Sequence, residues 1–198
     1  GLEESNNPSS GFFSGIPIFF KDMTGVKGVT SFYGSKAFEN AKPATKNDAF
    51  AKQVFSQGFI NLGTSTMPEF GFTCSTEFPD DKDTCNPWNT LHTAGGSSGG
   101  AGALVAAGVL PIATSADGGG STRIPASCCG LIGLKPSRGR LLDSKLSERQ
   151  IVEISTNGVI TRTVRDTAYF YAEAEKYYHK KNLAPIGLVN KPNTRKLK

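Results

Sequence analysis

Histidine is scarce: His92 and His179 are the only two in 198 residues. That leaves little material for a zinc centre, which needs several His or Cys ligands at close spacing. The four cysteines, Cys74, Cys85, Cys128 and Cys129, form no C-x-x-C pair, so neither a metal nor another cofactor is expected. Adjacent Cys128 and Cys129 cannot readily bridge each other. Buried free thiols in a reducing, cytoplasmic compartment are the expectation, with a Cys74–Cys85 bridge left open. Long hydrophobic runs are also lacking. The stretches 12–20 and 101–113 are too short, or too broken by Gly and Pro, to cross a bilayer, so no membrane span is expected. No leader stands before Gly1, and any targeting peptide is taken to have been removed or never present.

Acidic residues are absent from Lys180 onward, where six Lys and Arg fall. This tail accounts for the net charge of +5 and reads as a solvated surface. With no basic stripe interleaved with aromatics and no zinc-finger spacing, nucleic acid is not an expected partner. What remains is ordinary for a soluble globular chain: 37% hydrophobic, 20% charged, with thirteen phenylalanines to fill an interior. The length suits one domain with a substantial core.

Residues 1–14 are polar and read as a flexible or cut end. A short apolar run over 16–20 suits a buried strand and ends at Lys21-Asp22. Asn47 suits the N-cap of a helix over 48–57, with Ala51, Val54 and Phe55 on one face and Gly58 as the stop. A second strand fits 59–63, a small-residue helix 98–107, and a third strand 109–115. Thr163-Val164-Arg165-Asp166 matches a loose capping box that opens a helix to about Tyr178. Residues 182–198 carry strand and loop signals. Helices alternating with short strands indicate a layered α/β fold.

Three features ask for a common explanation: a lysine after a buried strand, the loop Gly95-Gly96-Ser97-Ser98-Gly99-Gly100, and a second glycine loop ending in Ser121. Amide hydrolysis needs a nucleophile, a base and donors aimed at the developing oxyanion. Glycine-dense loops let backbone N–H groups approach a carbonyl unobstructed. A lysine with a pKa near ~10.4 is useless as a base at neutral pH, but burial behind Ile18, Phe19 and Phe20 would favour its neutral form. Gly95-Gly96-Ser97-Ser98-Gly99 also matches the G-x-S-x-G nucleophile elbow, yet it follows a poor strand and has only His179 downstream. A phosphate loop would require a G-K-[ST] ending that is absent.

The chain resembles the amidase-signature family. The motifs that carry the likeness are the first glycine-serine loop, Asp117-Gly118-Gly119-Gly120-Ser121-Thr122-Arg123-Ile124-Pro125-Ala126-Ser127, and Gly133-Leu134-Lys135-Pro136. Gly15-Ile16-Pro17-Ile18-Phe19-Phe20-Lys21-Asp22, Gly34-Ser35 and Asn86-Pro87-Trp88-Asn89 belong to the same pattern. The resemblance runs from about Gly15 to Ala168. It implies an α/β fold with a mixed twisted sheet covered by helices, here incomplete. A catalytic core over 15–179 would be followed by a basic segment, 180–198, leading into a further C-terminal portion.

Position by position, the resemblance implies that Ser121 is the acylated nucleophile, Lys21 the base, and Ser97, after a cis Gly96–Ser97 bond, the proton relay. Gly118, Gly119 and Gly120 would form the oxyanion hole, with Asp117, Arg123 and Ser98 in support and Met67 at the substrate. Asp22 would hold the Lys21 loop, and Glu69 would be structural. Cys128 and Cys129 would pack below the active loop, and His92 would bond within its own loop. Ala116 and His92 stand where the family often has Thr and Arg. The expected partner is a small-molecule amide, with a homodimer left open. Two other readings are the A subunit of a glutamine-dependent tRNA amidotransferase and an amidase-like fragment that cannot turn over.

Overall fold

The computed structural model describes residues 11–79, 83–143 and 154–186. In chain order the elements begin with β1 (Pro17–Lys21), α1 (Ala49–Phe55), β2 (Ile60–Ser65) and a hairpin of β3 (Cys85–Asn86) and β4 (Asn89–Thr93). There follow α2 (Gly99–Ala106), β5 (Ile112–Asp117), α3 (Arg123–Cys128), β6 (Ile132–Gly133), β7 (Thr156–Thr161) and α4 (Val164–Tyr177).

β1 and β2 pair in parallel, while β5, β7 and β6 form an antiparallel sheet in that order. β1 also packs along β5, where the Lys21 N–H donates to Thr114 Oγ1 at 2.9 Å. The two sheets therefore lie edge to edge and combine both strand senses. Period-two alternation divides their side chains between two layers. Ile18, Phe20, Ile112 and Val159 pack with Phe50 and Val54 of α1 and Phe170 of α4. Ala113, Ile160 and Phe19 meet Ala101 and Val105 of α2 and Ala126 of α3 on the opposite face. The large buried side chains each contribute about 1.5–3 kcal/mol. This is the layered α/β arrangement expected. Among the described residues, no helix is long and apolar enough to cross a membrane.

Several boundaries differ from the expected ones, for local reasons. Asp48 rather than Asn47 stands at the N-cap of α1, because Asn47 Oδ1 accepts the Lys27 N–H at 2.7 Å. Asp48 Oδ2 in turn accepts the Gly25 N–H at 2.9 Å instead of capping the helix. β5 starts at Ile112, not at Val109: Pro111 has no N–H for a ladder, and Val109 is exposed. β2 runs on to Ser65 because its pairing with β1 continues to Lys21. Thr163 does cap α4, with its side chain accepting the Asp166 N–H at 3.0 Å. No strand occupies 182–186, and the rest of the expected tail signals lie outside the described residues.

Candidate active site

Alternation along β1 places Ile18 and Phe20 on the α1–α4 side and leaves Lys21 on the side of α2. Lys21 is 2% exposed, and its Nζ donates to Ser97 Oγ at 2.7 Å. Loss of hydration on burial lowers the lysine from 10.5 to about 7, against the opposing pull of the Asp117 charge. Burial thus brings the neutral amine within reach near pH 7.

Ser97 follows a cis Gly96–Ser97 peptide bond and immediately precedes the start of α2. Close approach at that end depends on Gly100, where a Cβ would sit 2.3 Å from the Thr66 backbone nitrogen. The Gly100 N–H instead donates to Thr66 O at 3.1 Å. Ser98 ties the two serine loops together: its N–H donates to Ser121 O at 3.2 Å, and its Oγ accepts from Ala116 N at 3.5 Å.

Asp117 ends β5 at the base of the second loop. Its carboxylate accepts N–H bonds from Gly120 at 2.8 Å, Thr122 at 3.2 Å and Arg123 at 3.3 Å. The Arg123 guanidinium adds two bonds at 2.9 Å each. Burial disfavours the carboxylate charge, but the Arg123 side chain and these N–H groups outweigh it and hold the carboxyl below its usual range. The expected brace is therefore present. Of the three glycines expected at an oxyanion hole, Gly120 has its N–H engaged by Asp117. Gly118, Gly119 and Ser121 line the groove, and none of their N–H groups has an acceptor among the described residues.

The groove has a volume of about 270 Å³ and is lined by Lys21, Ser97, Gly118, Gly119 and Ser121 together. The structure closes the link from Lys21 to Ser97. Ser121 makes no side-chain hydrogen bond among the described residues.

Other expected residues fall elsewhere. Met67 is fully buried and lines a cavity of about 410 Å³, and its Cε and Ser97 Oγ each lie 3.2 Å from where a Gly71 Cβ would stand. Asp22 holds the loop after Lys21 as expected, accepting the Phe32 N–H at 2.9 Å and the Gly34 N–H at 3.2 Å. Glu69 accepts from Ser35 Oγ at 2.8 Å, a structural contact. Cys129 is buried, and burial pushes its thiol up to about 11. Cys128 is exposed, as are Cys74 and Cys85, which are free. His92 lies in the exposed strand β4.

Three contributions escaped the sequence reading. Thr114 receives Lys21 on β5, Thr122 Oγ1 donates to the buried Ser115 Oγ at 2.8 Å, and Ile154 with Ser155 lines the groove. The first and third depend on how β1, β5 and β7 are laid side by side, which no local motif reports, and the second on how the turn after β5 folds back on it. The Asn86-Pro87-Trp88 stretch reaches across to α3, where Asn86 Nδ2 and Trp88 Nε1 donate to the carbonyls of Cys128 and Cys129 at 2.7 and 2.8 Å. These contacts satisfy backbone acceptors at the end of α3, the helix that Ser121 leads into.

Comparison with known proteins agrees with this geometry. The family model Amidase matches residues 2–196, and the chain belongs to that family. It is 49% identical over 197 residues to the AmiC protein of Mycobacterium leprae, covering 99% of this chain and 42% of AmiC. The solved structure of a 6-aminohexanoate cyclic dimer hydrolase complexed with substrate superposes with a TM-score of 0.80 at 35% identity. That match covers 86% of this chain and 36% of the hydrolase. The A subunit of the glutamyl-tRNA(Gln) amidotransferase of Exiguobacterium sibiricum is 42% identical over 160 residues, 78% of this chain and 32% of the subunit. The chain thus spans about two fifths of the length of AmiC and a smaller share of the other two.

Proposed function

We propose that the chain carries the acyl-transfer centre of an amide hydrolase, with Ser121 as nucleophile, Ser97 as relay and Lys21 as base. The observation that supports it most is the 2.7 Å bond from Lys21 Nζ to Ser97 Oγ, made by a buried lysine whose pKa is lowered to about 7. A protonated amine is a donor only; its neutral form can accept the proton from Ser97.

In this reading Ser121 Oγ attacks the amide carbonyl as its proton passes to Ser97 and the Ser97 proton passes to Lys21. The link between the two serines forms as substrate fills the groove, since catalytic hydrogen bonds commonly tighten only in the complex. Negative charge on the carbonyl oxygen is met by the free N–H groups of the Gly118–Gly119 turn, each worth about 3 kcal/mol in such a role. Collapse breaks the C–N bond, and the proton held on Lys21 returns through Ser97 to the departing nitrogen. Ammonia or an amine leaves, and Ser121 keeps the acyl group as an ester. Water then enters, loses its proton along the same path, and releases the carboxylic acid. Asp117 and Arg123 hold the turn and take no part in proton transfer.

A fluorophosphonate probe tests this on the full chain. Covalent labelling at Ser121, located by mass spectrometry and lost in Ser121→Ala, is the expected outcome; turnover in Ser121→Ala equal to the parent's would sink the proposal. Similarity to the amidotransferase subunit keeps one rival reading, and ammonia release from glutamine only in the presence of partner subunits would favour it.

A further inference from the structure

The walls of the groove say which amide fits it. Beyond Lys21, the serines and the glycines, the lining is Met23, Phe70, Phe72, Ala116, Ile124 and Ile154 with one hydroxyl, Thr73, and Cys74 is the only other titratable side chain there among the described residues. Acidic groups of the described residues lie elsewhere: Asp117 is paired with Arg123 beneath the turn, and Asp22, Glu39 and Glu69 face the neighbouring cavity. No lining side chain in the described residues is placed to hold a carboxylate or an ammonium group of a substrate.

Three of the apolar residues are solvent-exposed at the groove: Phe70 at 47%, Phe72 at 87% and Ile154 at 57%. Phe70 is held in a left-handed conformation, φ 53°, a backbone state that a bulky side chain rarely adopts. Its N–H donates to Tyr33 O at 2.9 Å, and its ring meets Phe38 edge-on at 6.1 Å. The next residue, Gly71, is also left-handed, and a Cβ there would come within 3.2 Å of Ser97 Oγ. The turn thus keeps the space over Ser97 clear with two aromatic rings beside it.

Charge adds a second constraint. A substrate anion near Lys21 would favour the ammonium form of that side chain and remove the base. A substrate cation would find no carboxylate partner in the groove among the described residues.

We propose that the substrate is an amide with an uncharged, apolar acyl chain that lies along Phe70, Phe72 and Ile154 and reaches Ser121 through the groove. This inference rests on the reading of Ser121 as the acylated residue.

The test measures ammonia release by the full chain from acetamide, butanamide, hexanamide and octanamide, with succinamate and glutamine as charged counterparts. Each methylene that leaves water is expected to raise kcat/KM by about two- to fourfold. Hexanamide should exceed succinamate by at least about tenfold, because a carboxylate in the groove gains no partner for the water it loses. Phe72→Ala, a change at an exposed side chain, should lower the ratio of kcat/KM for hexanamide to that for acetamide by about fivefold. A flat series, a preference for succinamate or glutamine, or an unchanged ratio in Phe72→Ala would overturn the inference. Fluorophosphonate labelling run alongside separates the two levels. Labelling of Ser121 with a flat series removes the apolar chain alone, whereas absence of labelling removes the acyl-enzyme reading and this inference with it.

Discussion

Lys21 and Asp22 are neighbours in sequence, yet they serve two different cavities. Lys21 lines the groove of about 270 Å³ with the serines, and Asp22 lines the larger cavity of about 410 Å³. The segment 67–72 contributes to both, through Met67 and Glu69 on one side and Phe70, Gly71 and Phe72 on the other. Burial pushes both charged groups toward neutrality, lowering the lysine to about 7 and raising the aspartate. Their partners differ. Asp22 receives two backbone N–H groups, and across the same cavity Ser35 satisfies Glu69, so the larger space is lined by groups already bonded to one another. In the groove an amine meets only a hydroxyl, and a second hydroxyl has no partner among the described residues. Spare hydrogen-bonding capacity beside a buried amine, not volume, is what sets the groove apart.

The strongest test of that contrast is Lys21→Met. If Lys21 is the base, kcat at neutral pH should fall by about a thousandfold or more. In the parent protein activity should decline as pH drops below about 7, because the amine becomes protonated there. Stability should rise with pH as activity does, but over a higher window. The folded lysine titrates near 7 and the unfolded one near 10.5, so the unfolded chain binds the extra proton between these values. Parent stability contributed by this group therefore rises with pH across that window, and the full burial penalty, at most roughly 5 kcal/mol, applies below it. Methionine removes the penalty. Urea unfolding should show Lys21→Met gaining stability at about pH 6 and little at about pH 10. An equal gain at both values would mean that Lys21 is not held neutral by the fold.

Asp22→Ala probes the other side. It leaves the partly buried N–H groups of Phe32 and Gly34 without their acceptor, at about 1 kcal/mol for each. The expected result is a lower urea midpoint with kcat reduced far less than in Lys21→Met. Loss of kcat comparable to that in Lys21→Met, in a variant that still folds, would erase the distinction between the two cavities.

How much of this was legible beforehand follows from where each signal resides. The Lys21 strand, the small-residue helix after Ser97 and the Thr163 cap rest on residues close together in the chain, and all three were visible. The bracing of the second loop was also visible, since Asp117 and Arg123 flank it. The use of the Gly120 N–H was not. All three glycines looked equivalent, and only the folded turn shows that one N–H points back to Asp117. The path of Met67 was hidden for a similar reason: the turn that begins at Pro68 buries Met67 and leaves Phe70 and Gly71 to line the groove. Ile154 and Ser155 reach the groove only through the register of β7 against β5, where Thr156 lies opposite Asp117. Asn47 failed as a cap because Lys27 claims its side chain from a loop twenty residues away. Local chemistry was readable, and non-local competition for the same donors and acceptors was not.

The smallest effect expected concerns how Ser121 is held. Its neighbour Thr122 is fixed twice to β5, by its N–H to Asp117 and by its hydroxyl to Ser115, with both side chains buried. Thr122→Val keeps the shape and the N–H bond but removes the hydroxyl, which should cost about 1–2 kcal/mol and lower kcat severalfold with KM unchanged. Much of that cost comes from leaving Ser115 Oγ in an apolar setting without its donor. Adding Ser115→Ala removes the orphaned oxygen, so the double variant should be less destabilised than the sum of the two single ones. It should still show the lowered kcat, because Thr122, next to Ser121, has lost one of its two ties to β5. Recovery of both stability and kcat in the double variant would show that the Asp117 bonds alone position Ser121, and that the Thr122–Ser115 contact serves the core only.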